Sequence, residues 1–117
     1  NKTIMQDLKI FTTDLYNFEK DVIYRSEDTL ILVDFWADWC VPCISISPNL
    51  EATVNEMNGS VLLMKVEVDV DENMKLVSEH DIRGFPTIIM FKNREEVARF
   101  SGFQSREWIK NWIYKYL

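Results

Sequence analysis

The chain has two cysteines, Cys40 and Cys43, standing two residues apart in Trp39-Cys40-Val41-Pro42-Cys43. Directly before them runs Leu30-Ile31-Leu32-Val33-Asp34-Phe35-Trp36, an apolar stretch broken by one carboxylate, and after them a helical pattern begins. That place suits thiol chemistry. The first N–H groups of a helix lack internal partners and, with the helix dipole, favour negative charge. A cysteine there loses its proton more readily, and the thiolate is the nucleophile. Cys40 is expected at the helix start facing water, with Cys43 one turn on and close enough to close a disulfide. Asp34 supplies an acid nearby. Burying a carboxylate in a strand is costly unless it is paired or neutral, and burial raises its pKa toward the range useful for proton transfer.

Other chemistries fit less well. Two cysteines do not make a disulfide framework, and with His80 as the sole histidine they fall short of the four ligands of structural zinc. A disulfide across four residues closes little chain entropy, which argues against a purely structural bridge. The pair therefore reads as redox-active, with no metal and no bound organic cofactor required. Thirteen basic residues against nineteen acidic ones give a net charge of -6 without a basic stripe, which argues against a nucleic-acid partner. No apolar run approaches the roughly 18 residues of a membrane helix, so no membrane insertion is expected. A length of 117 residues, 47% hydrophobic and 27% charged, predicts one domain over residues 1–117 with a proper core. The sequence opens Asn1-Lys2-Thr3 without an initiator methionine, which reads as a processed or cut product. The compartment stays open between the cytoplasm, as the default, and a secreted or organellar location after removal of a signal or transit peptide.

The elements that position these residues follow from periodicity. Leu8 to Phe11 reads as a short edge strand. Thr12 or Thr13 is the expected N-cap of a helix carrying Leu15, Phe18, Val22 and Ile23. Leu30 to Trp36 reads as a strand covered on both faces. Val41 to Met57 reads as a helix bent at Pro48, where a backbone bond is lost. Beyond Asn58-Gly59, Val61 to Val68 is a strand and Asp71 to His80 a short helix. Thr87 to Phe91 and Val97 to Phe100 form a hairpin across residues 92–96. Ser105 caps a last helix with Trp108, Ile109, Trp112, Ile113 and Tyr116 in an apolar stripe, both tryptophans being core by spacing. His80 is expected at the surface, and Trp36 in either core or rim. The order β-α-β-α-β-α-β-β-α predicts an α/β fold with a parallel core and an antiparallel edge.

At this point the segment Val33-Asp34-Phe35-Trp36-Ala37-Asp38-Trp39-Cys40-Val41-Pro42-Cys43, then Pro48, then Ile82-Arg83-Gly84-Phe85-Pro86-Thr87, closely resembles the thioredoxin family. The match runs from about Leu30 to the C-terminus. The resemblance implies a central mixed five-stranded sheet flanked by about four helices. It also implies roles: Cys40 the attacking thiolate, Cys43 the resolving thiol, Asp34 the buried carboxylate that handles the proton of Cys43. Pro86 would be a cis-proline that aligns substrate backbone. Trp39, Val41, Pro42, Phe85 and Gly102 would border the substrate groove. Lys65 matches a lysine near the buried aspartate, although by alternation alone it could simply occupy the wetter face of its strand.

Three positions depart from the family pattern. Val41 stands for the usual glycine between the first cysteine and the proline, Ile44 for the basic residue after the second cysteine, and Arg94 for the hairpin glycine. The first two make the rim of the site more apolar and less positive. The implied activity is reduction of disulfides in client proteins, with a separate reductase restoring the dithiol and the protein acting as a monomer or within a larger complex. A thiol oxidase or isomerase of an oxidising compartment, and an adaptor subunit docking through Trp39, Val41, Ile44 and Phe85, are the alternatives.

Overall fold

Strands and helices alternate along the computed structural model, which describes residues 8–117. The first strand β1 (Ile10–Thr12) leads to a π-helical turn (Glu19–Tyr24) that runs into a 3-10 turn (Arg25–Glu27). Then follow β2 (Leu30–Trp36), α1 (Val41–Glu56), β3 (Val61–Glu67), α2 (Met74–Glu79), β4 (Thr87–Lys92), β5 (Glu95–Ser101) and α3 (Arg106–Tyr114). The sheet runs β1-β3-β2-β4-β5. β1, β3 and β2 are parallel, while β4 is antiparallel to β2 and β5 to β4. It is the mixed five-stranded α/β sheet that the resemblance implies.

The apolar run of β2 places it at the centre because both of its faces are covered. Successive side chains alternate across the sheet. Ile31, Val33 and Phe35 join Phe18, Val22, Leu76 and Ile89 on one side. Leu30 and Leu32 face Ile46, Leu50 and Val54 of α1 and Ile109, Trp112 and Ile113 of α3 on the other. Alternation then puts Asp34 on the α1 face, where an apolar residue would be the default.

Several boundaries differ from the sequence reading, each for a local reason. Thr12 lies in β1, and Thr13 is buried with its hydroxyl donating to Asp21 at 2.7 Å, so neither caps a helix. Asp14 instead folds the chain back, accepting the Asn17 N–H at 2.9 Å. The helical turn begins at Glu19 with no side-chain cap, although Phe18 and Val22 are buried as the spacing requires. α2 is six residues long and starts at Met74, because Asp71 has φ +51° and Asn73 is used elsewhere. Asn73 is buried; its Oδ1 accepts the Leu15 N–H at 2.9 Å and its amide donates to the Glu67 carbonyl at 2.9 Å. Asn73→Ala orphans the Leu15 N–H, while the Glu67 carbonyl keeps the Val70 N–H at 3.2 Å, and the change is expected to cost about 2 kcal/mol in urea unfolding. A loss below about 1 kcal/mol would show that the clasp is dispensable.

The hairpin is tighter than the five-residue turn expected. Asn93 and Arg94 alone make it, both with positive φ, as a type I′ turn demands. Pro48 lies inside an uninterrupted α1. Trp112 is buried, but Trp108 is 38% exposed, lying stacked on Trp112 and edge-on to Phe100. His80 is not a plain surface residue: its ring lies 5.1 Å from Phe18 and 6.0 Å from Phe91, and burial lowers its pKa. Among the described residues no helix is long and apolar enough to cross a membrane.

Candidate active site

β2 ends at Trp36, and the chain turns through Ala37 to Trp39 into α1. Cys40 is the N-cap of that helix, in extended conformation, with Pro42 in its first turn, where the missing N–H costs nothing. Cys40 Sγ accepts the N–H of Cys43 at 3.3 Å, and the two cysteines form a disulfide with Cα atoms 5.2 Å apart. The helix start is therefore where the sequence reading puts it. The sulfur is less open than expected. Cys40 retains only 5% of its surface and Cys43 2%. Around them Val41 is 74% exposed, and Trp39, Pro42 and Ile44 are exposed as well.

The rim continues on the opposite loop. The Trp39 and Phe85 rings meet edge-on at 6.0 Å, and the Trp39 indole N–H donates to Asp69 at 2.5 Å. The Phe85–Pro86 peptide is cis, and the buried Pro86 leads into β4 beside the end of β2. Gly102 has φ +86° and donates its N–H to the Pro86 carbonyl at 2.9 Å, which ties β5 to this loop.

Beneath the disulfide lies the charged part of the site. Asp34 is 1% exposed, and its Oδ1 finds no hydrogen-bond partner. Burial pushes its pKa from 3.8 up to about 7, against the pull of Lys65 and with a further push from Glu51. Asp34 and Lys65 are register partners across β2 and β3, so the lysine does sit beside the aspartate. Asp34, Trp36, Cys43, Ile44, Ser47 and Lys65 line a cavity of about 330 Å³. That is room enough to bring water between the carboxyl and the second cysteine.

Sequence reasoning missed Ser47, Glu51 and Asp69. Ser47 and Glu51 follow Cys43 at intervals of four, so one face of α1 brings all three toward β3. That spacing was visible, but both residues also suit an exposed helix surface, and only the sheet register reveals Lys65 opposite them. Asp69 lies 30 residues from Trp39 and carries no local signal.

A thioredoxin family model matches residues 9–115. A thioredoxin of Rickettsia felis is 38% identical over 99 residues, covering 85% of this chain and 90% of that protein. One of Rickettsia conorii is also 38% identical, over the same shares of both chains. A protein named thioredoxin C-2 of Corynebacterium nephridii is 43% identical over 95 residues, covering 81% of this chain and 83% of its own. With a disulfide at a helix start, an acid buried beneath it and these relatives along most of its length, the chain belongs to the thioredoxin family and is a thiol–disulfide oxidoreductase.

Proposed function

We propose that the protein reduces disulfides in client proteins through its Cys40–Cys43 dithiol. The observation that carries this reading is Cys40 at the N-cap of α1, its sulfur accepting a helix N–H and bridged to Cys43 one turn on. In the dithiol, the Cys40 thiolate attacks one sulfur of a client disulfide. The client S–S bond breaks, a mixed disulfide forms, and the departing client sulfur takes up a proton. Cys43 then gives its proton to Asp34 and attacks Cys40. This closes the internal disulfide and releases the second client thiol. Two electrons pass to the client, and a separate reductase returns them. Lys65 stands next to the acid and tunes it. Trp39, Val41, Pro42, Phe85 and Gly102 hold an extended client segment beside Pro86.

Direction follows from how strongly the thiolate is held. A dithiol becomes a strong oxidant when its reduced form is greatly stabilised. In the disulfide, Cys40 Sγ accepts the Cys43 N–H at 3.3 Å, a contact the thiolate would inherit, and Ile44 brings no cation to steady it. That modest stabilisation favours a reductant over an oxidase. The test is insulin reduction by dithiothreitol. Catalytic amounts of the protein should accelerate it severalfold, and equilibration with glutathione should give a potential near that of other reducing thioredoxins, about -270 mV. Cys43→Ser should collect many clients as mixed disulfides. No acceleration, or one stable partner held without any cysteine link, would point to an adaptor; a potential above about -180 mV would point to an oxidase or isomerase.

A further inference from the structure

Lys65 neighbours Asp34 across two strands, yet its ion pair is with Glu51. Lys65 Nζ donates to Glu51 Oε2 at 2.9 Å and to Ser47 Oγ at 3.0 Å. The Ser47 hydroxyl in turn donates to the same Glu51 oxygen at 3.0 Å, which closes a triangle. The Trp36 ring, 5.3 Å from Nζ, bounds the ammonium on another side. Ser47 and Lys65 both line the Asp34 cavity, while Glu51 is part-exposed and does not line it.

We propose that Glu51 and Ser47 are positioning residues for the resolving step: they tether the Lys65 ammonium at the cavity wall and so weaken its pull on Asp34. The inference rests on Asp34 serving Cys43 as the proton acceptor. A lysine is a compact charge on a flexible stem. Paired with a carboxylate at 2.9 Å, it acts on a third group as little more than a dipole. Released, the same ammonium favours the ionised form of any nearby acid. The other groups around Asp34 do not compete. From α1 come Cys43, Ser47 and Glu51, from β3 Lys65, and from β4 the apolar partner Ile88. Burial is the largest influence on the Asp34 pKa and raises it; Lys65 pulls it down, and Glu51, a smaller influence, pushes it up directly. Glu51 itself is pushed up by partial burial, but hydrogen bonds from Lys65 and Ser47 outweigh that and leave its pKa lowered.

The carbon-13 carboxyl signal of Asp34, followed against pH in the oxidised protein, tests this in Glu51→Gln, Ser47→Ala, Lys65→Met and the Glu51→Gln/Lys65→Met pair. Glutamine keeps the shape of a part-exposed side chain, so the fold is retained. The Asp34 midpoint should fall by about one pH unit in Glu51→Gln, a tenfold change in the proton equilibrium. Ser47→Ala should give a smaller fall in the same direction. Most of the Glu51→Gln effect should vanish once Lys65 is methionine. An unmoved midpoint in Glu51→Gln would overturn the inference, as would a fall that persists undiminished without Lys65. The carboxyl titration tests Glu51 and Ser47, whereas the rate of mixed-disulfide release in Asp34→Asn tests the acid–base reading, so the two failures are distinguishable.

Discussion

In Cys40→Ser protein, insulin disulfides are reduced only at the rate set by dithiothreitol itself. The nucleophile in disulfide exchange is a thiolate, and a free cysteine near neutral pH already supplies a few per cent of it. A serine hydroxyl supplies essentially no alkoxide at that pH, and no stable sulfur–oxygen bridge to Cys43 replaces the disulfide. The expected loss is therefore complete, to the uncatalysed background. The fold should survive. A bridge across so short a loop contributes about 2 kcal/mol by the chain-entropy argument, and the cores on both sheet faces are untouched. The variant should keep its far-ultraviolet spectrum while losing all acceleration. Retained acceleration would mean that exchange begins somewhere other than Cys40.

Asp34→Asn is the second substitution with a large effect, and it moves stability and activity in opposite directions. Asp34 has a folded pKa of about 7 against an ordinary value of 3.8, chiefly because it is buried. Between those values the folded protein holds a proton that the unfolded chain has released, so stability falls as pH rises from about 4 to about 7. At roughly 1.36 kcal/mol per pH unit, the decline totals on the order of 4 kcal/mol and is complete above the folded pKa. Asparagine never ionises. Urea unfolding at pH 8 should show the variant more stable by a few kcal/mol, with the difference fading toward pH 4. Release of the mixed disulfide should slow at least tenfold, because Cys43 loses its proton acceptor. A variant no more stable at pH 8 would mean that the carboxyl is solvated in the native protein; an unslowed release would remove its acid–base role. Gaining stability while losing turnover is the trade expected at a functional group buried against its own preference.

Much of the fold was legible because its signals are local. β2 needed only seven consecutive residues, with Asp34 conspicuous among them. α1 announced itself through the spacing of Ile46, Leu50 and Val54, and α3 through Ser105, whose hydroxyl accepts the Trp108 N–H at 3.1 Å. What escaped depends on partners distant in sequence. Asn73 looks like any polar residue before a helix until Leu15, 58 residues away, is seen to donate to it. Trp108 fits the apolar stripe by count, yet in the first turn of α3 it stays more than a third exposed. Leu15 to Ile23 carry helical spacing, but the capping threonines were already committed to β1 and to Asp21. At the site, the cysteines, Asp34 and the cis-proline could be read or recognised along the chain. The tether on Lys65 could not, because it exists only where α1 crosses β3.

The sheet ends on β5, most of whose residues are exposed and which presents Glu95, Glu96 and Arg99 beside a register shift between Met90 and Phe91. At the other margin β1 is three residues long. A charged, irregular border and a stub are poor templates for another strand. A thiol–disulfide oxidoreductase that meets other polypeptides is exposed to accidental zippering with them, and here the sheet margins offer an extended strand little to hold. On the proposed function, contact is left to the rim around Cys40, from which a client is free to leave once its sulfurs are reduced.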